Sequence, residues 1–155
     1  MRSGIGLSSW LFSGALAVAL LWPYPACATL GEPQSSIAAE PQLGRASIKA
    51  TDLGAYRVHE SQLPSGTVVR EYAAPNGNVF AVTWRGPFVP NLKQLLGRYF
   101  EEYAAGAKVK YSDHHHVEVR QSDLVVQAGG HMRATAGRAY LPLALPAGVT
   151  PGDLQ

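Results

Sequence analysis

The first 28 residues decide how much chain there is to fold. Arg2 is the only charged side chain before Glu32, residues 10–22 are almost wholly apolar, and Ala26-Cys27-Ala28 is a small-residue cleavage pattern. The apolar run, about 13 residues long, falls short of the roughly 20 that a helix needs to cross a hydrocarbon core, and Pro23 and Pro25 break it. The pattern predicts a signal peptide over 1–28, a mature chain starting near Thr29, and a periplasmic or secreted location. Cys27 also admits a second reading, as the acylated first residue of a lipoprotein. Tyr24-Pro25-Ala26, however, lacks the aliphatic residue expected three positions upstream of such a cysteine.

Cleavage after Ala28 removes the only cysteine, so no disulfide can hold the mature chain and its core must supply the stability. The 127 residues that remain suffice for one domain, which at that size buries roughly two-thirds of its unfolded surface. Charge changes little. The 13 basic and 11 acidic side chains of the full chain become 12 and 11. A balance so close to neutral offers no concentrated Lys/Arg surface for nucleic acid and no polybasic membrane patch.

Residues 29–53 are rich in Ala, Ser, Pro, Gly and Gln without a sustained period and read as a poorly ordered lead-in. The domain proper is placed at 54–142. Tyr56 and Val58 alternate with Arg57 and His59, Thr67 to Tyr72 is β-branched and aromatic, and Asn76-Gly77 favours a tight turn into Val79 to Trp84. Residues 55–85 thus read as a three-stranded meander. After Gly86-Pro87 and Pro90 the period changes. Leu92, Leu95, Leu96, Tyr99 and Tyr103 form one apolar stripe of a helix, with Asn91 and Gln94 as a capping-box variant and Gly106 as the stop. Val117 to Arg120 and Leu124 to Ala128 read as strands, Gly129-Gly130 as a turn into His131 to Thr135, and Arg138 to Leu141 as an extension. Pro142 just before it, with Pro146, Pro151, Gly148 and Gly152 inside it, makes 143–155 an irregular tail. The order predicts an α+β domain: a three-stranded meander, one amphipathic helix, then two or three further strands, with the antiparallel sheet packed on the helix.

Three groups carry candidate chemistry. On an extended segment His114, His116 and Glu118 point to one side and could present two imidazoles and a carboxylate to zinc or copper, although a solvated polar edge explains them as well. His131, between Gly130 and Met132 and near Arg133, could act in acid/base chemistry with Asp123, eight residues back on the same hairpin. The alternative is a histidine that bonds the backbone beside a turn. Trp84, Arg85 and Phe88 are residue types that anchor interfaces, while a core tryptophan with exposed neighbours is the simpler reading. The mature chain has no cysteine nucleophile, Gly-x-Ser-x-Gly elbow, phosphate-binding glycine loop or His-Glu-x-x-His pair. No cofactor is expected.

Two stretches together resemble a known family. One runs Leu63-Pro-Ser-Gly-Thr-Val-Val-Arg-Glu-Tyr72, Val79-Phe-Ala-Val-Thr-Trp84 and Leu95-Leu96-Gly97-Arg98-Tyr99-Phe100. The other runs Asp123-Leu-Val-Val126, Gly130-His-Met-Arg133 and Ala136-Gly-Arg-Ala-Tyr140. They are similar to the exported proteobacterial proteins grouped as domain of unknown function 2844. The resemblance covers most of the mature chain and implies export from a Gram-negative cytoplasm. It brings no activity and no catalytic residue. The signal, the compact α+β pattern and the missing catalytic motifs point to a non-catalytic periplasmic or secreted binding or accessory protein, whose partner is an envelope protein and not a nucleic acid. The alternative is a small periplasmic enzyme or metal-binding protein using His131 or the cluster from His114 to His116.

Overall fold

The computed structural model describes residues 29–33, 48–109 and 116–155. The predicted signal peptide, part of the lead-in, and His114 with His115 lie outside the described residues.

Among the described residues seven strands form one antiparallel sheet: β1 (Ile48–Asp52), β2 (Arg57–Gln62), β3 (Val68–Ala73), β4 (Val79–Gly86), β5 (His116–Arg120), β6 (Val125–His131) and β7 (Ala134–Tyr140). Their order is β1-β2-β3-β4-β7-β6-β5. The first four strands and the last three are each a meander of neighbours in sequence, and the two meanders join where β4 pairs with β7. This overturns the predicted α+β domain built on a three-stranded meander: the fold is mostly β, and the helical segment is an insertion between its halves. β1 makes the first meander four-stranded. It was hidden because Ile-Lys-Ala-Thr-Asp has a weak alternation, and only its register against β2, from Ile48 opposite Ser61 to Asp52 opposite Arg57, makes it a strand.

The helical segment is also broken where one helix was expected. α1 (Leu92–Leu96) ends at Gly97, a 3₁₀ turn covers Gly97–Tyr99, and α2 (Phe100–Val109) follows. The expected cap is present: Asn91 Oδ1 accepts from the Gln94 amide at 3.3 Å. Gly97 has φ 50°, and a Cβ there would strike the Thr29 side chain. Residues 29–33 cause the crowding. The Leu30 amide donates to the Leu95 carbonyl, the Gly31 amide to that of Val79, and the Val79 amide to that of Glu32, while Leu30 is fully buried. Gly106 does not stop the helix. It lies inside α2, where a Cβ would come within 2.5 Å of Val119 Cγ1, so its missing side chain lets α2 approach β5.

Gly129-Gly130, read as a turn, belongs to β6, and Met132-Arg133 makes the turn instead, with Arg133 at φ 62°. The two sheet faces are covered differently. Leu95 and Leu96, flanked by Leu92, Tyr99, Phe100 and Tyr103, pack on Val69, Val82, Trp84, Val119, Val126 and Ala139. On the other face, Tyr72, Ala81, Val125 and Tyr140 cluster with Phe80 and with Leu154 of the tail. The tail thus covers only part of its face.

Candidate functional site

Strict antiparallel register aligns one residue from each of six strands into a polar row across the tail-bearing face. Glu60 stands opposite Arg70, Arg70 opposite Thr83, Thr83 opposite Arg138, Arg138 opposite Gln127, and Gln127 opposite Glu118. Each is the polar member of an alternating strand whose neighbours point into the helix-covered core. Arg70 Nε donates to Glu60 Oε2 at 2.7 Å, Arg138 Nε to Gln127 Oε1 at 2.7 Å, and Gln127 Nε2 to Glu118 Oε1 at 2.7 Å, where Arg120 Nε also donates. Such chains of charge-assisted bonds fix the side chains in one arrangement. Their stabilising effect is modest, because the Glu60–Arg70 pair is 40% exposed on both sides and such pairs contribute about 0–1 kcal/mol.

The tail meets this row with main-chain oxygens. The Gln155 main-chain oxygen accepts from Tyr72 Oη at 2.6 Å, Arg70 Nη1 at 2.7 Å and Thr83 Oγ1 at 3.3 Å, and the Pro151 carbonyl accepts from Arg138 Nη1. Leu154, 4% exposed, anchors the segment between them. Below the row the face is open. The next register line reads Val68, Arg85, Ala136, Gly129, His116. Its centre holds only a methyl group and a hydrogen, so a groove of about 820 Å³ runs there, bounded by the polar row and by Leu154 and Gln155.

Sequence reasoning named four residues that line this groove, Trp84, Arg85, His116 and Glu118, for other reasons. Trp84, Arg85 and Phe88 do not form one surface. Trp84 is 2% exposed in the helix-covered core, while Arg85 projects into the groove and Phe88 is exposed beyond the strand. His131 and Asp123 are not brought together: β6 separates them, and its six residue intervals alone span about 20 Å. Arg133 sits beside His131 at the hairpin tip. His116 and Glu118 share one side of β5, but Glu118 Oε1 is already engaged by two donors, and His114 lies outside the described residues. Among the described residues no group of three or more His, Asp or Glu side chains could hold a metal.

The helix-covered face carries a second polar feature that the sequence reading passed over. His59 stands opposite Glu71, which is fully buried, and Ser61 is 2% exposed one pleat along. His59 Nε2 and Ser61 Oγ are buried without a hydrogen-bond partner among the described residues. Burial, with the nearby Arg57 charge, holds the His59 imidazole below its ordinary pKa.

A mostly-β single sheet, insulated by helices on one face and grooved on the other, is the class of protein that these observations define. The chain belongs to the family described as protein of unknown function (DUF2844), whose model matches residues 26–154. No curated protein and no solved structure matches it. Among the described residues no helix is long and apolar enough to cross a membrane.

Proposed function

We propose that this chain is an exported, non-catalytic accessory protein of the periplasm or the medium that works by binding a partner on the open half of its sheet. The observation that carries the reading is the groove itself. It is walled on one side by side chains that the row of hydrogen bonds holds in place, and a preformed concave surface with a few fixed polar groups is what a binding site requires. Export is supported by the leader pattern of residues 1–28.

Two experiments test the two halves. Mass spectrometry of the protein from the periplasmic fraction is expected to give an N-terminus at Thr29; an intact leader on the cytosolic protein overturns export. In-cell crosslinking followed by pull-down is expected to recover an envelope protein from the parent and not from Ala136→Trp, which fills the groove. A partner recovered equally with both overturns the assigned surface.

A further inference from the structure

Resting on the groove reading, we infer that the occupant is an extended polypeptide segment bearing a carboxylate, which lies along the line from Arg85 to His116 and pairs its carboxylate with Arg85. Three observations converge on this class. The tail shows what the face accepts: residues 151–155 cross from Arg138 to Arg70 and present main-chain oxygens to guanidinium and hydroxyl donors. The adjoining line is shaped for a second such segment, since Ala136 and Gly129 leave its floor low between the larger ends.

Charge then selects the ligand. Arg70 is paired with Glu60, and Arg138 is held by Gln127 and the tail, whereas Arg85 is exposed and makes no hydrogen bond or ion pair among the described residues. Of the three guanidinium groups that line the groove, Arg70, Arg85 and Arg138, that of Arg85 is the one left unengaged among the described residues, and a single guanidinium fits a single carboxylate better than a dianionic phosphate. A free, exposed guanidinium costs little to desolvate and forms a two-pronged bond to a carboxylate.

The test titrates the full-length gene product, purified as the cell processes it, with a fluorescein-labelled alternating alanine–glutamate hexapeptide. Its glutamine counterpart, inorganic phosphate and an oligouronate serve as competitors. The glutamate peptide is expected to bind with Kd below about 1 mM, and the glutamine peptide at least tenfold more weakly. Arg85→Gln should lose about tenfold, equivalent to about 1.4 kcal/mol, with an unchanged melting curve because that side chain supports nothing in the fold. Equal binding of the two peptides, or no effect of Arg85→Gln, overturns the carboxylate while leaving the groove in place, provided that Ala136→Trp still blocks. Binding indifferent to both variants removes the groove reading as well. Binding of the oligouronate or phosphate alone, or no binding of the glutamate peptide at millimolar concentration, overturns the peptide assignment.

Discussion

Gly137→Ala should destabilise the protein through one side chain. Gly137 faces Trp84 across the β4–β7 pair, and a Cβ built there falls within 2.5 Å of the indole Cε2 and 2.9 Å of Cη2, with Cζ2 nearer still. Neither partner has room: Trp84 is 2% exposed and locked under the helical segment, and Gly137 is held by the ladder. Overpacking of this kind costs about 1–3 kcal/mol, and replacing a strand glycine returns about 0.5–1 kcal/mol of backbone entropy. The net loss is about 1–2 kcal/mol, a fall in Tm of roughly 4–10 °C for a domain of this size. Trp84→Phe removes the offending ring edge. It also removes an indole N–H that is buried without a partner among the described residues, so its own cavity cost is partly offset. Thermal unfolding followed by far-UV circular dichroism on both single variants and the double variant gives the coupling. The double variant is expected to be more stable than the sum of the singles by about 0.5–2 kcal/mol. An unperturbed Gly137→Ala, or strict additivity, refutes the packing argument.

Leu154→Ala should cost about 2–4 kcal/mol, because Leu154 is buried against Tyr72, Phe80 and Tyr140, and hydrogen exchange should then rise at the Gln155 amide; unchanged stability would show that the tail is not docked. Arg133→Gly should stabilise by up to about 1 kcal/mol by relieving a non-glycine residue at φ 62°, and a lower Tm would contradict that turn geometry. His59 makes stability depend on pH. Its folded pKa lies below the unfolded value of about 6.5, so as pH falls past 6.5 the unfolded state takes up the proton first and stability declines until the folded pKa is passed. His59→Gln should lose that part of the acid-side slope and match the parent above pH 7; identical slopes would refute the assignment.

The sequence exposed local order well and long-range order poorly. Strands β2, β3 and β4 were legible because Val58, Val69, Val82 and their neighbours alternate and Gly77, at φ 85°, makes the turn. The stripe from Leu92 to Tyr103 was legible too, but not its break, because the crowding at Gly97 comes from Thr29, 68 positions away. The pairing of β4 with β7 left no local mark. Chain order places β5 next, and only the packed sheet puts Thr83 beside Arg138. The polar row was hidden for the same reason. Glu60, Arg70, Gln127 and Arg138 are each an ordinary exposed-face residue, and their significance lies in a register summed over six strands. One signal was available: these residues alternate with the core-facing ones and therefore share a face.

Everything proposed for the groove depends on β4 and β7 being neighbours, with that row unbroken. Nuclear Overhauser contacts on the isotope-labelled protein test this directly. Cross-strand contacts are predicted between Val82 and Ala139 and between Trp84 and Gly137, with the chain of contacts running from Glu60 to Glu118 without a gap. Contacts that place β5 beside β4, or a gap between Thr83 and Arg138, would contradict the fold and the site together.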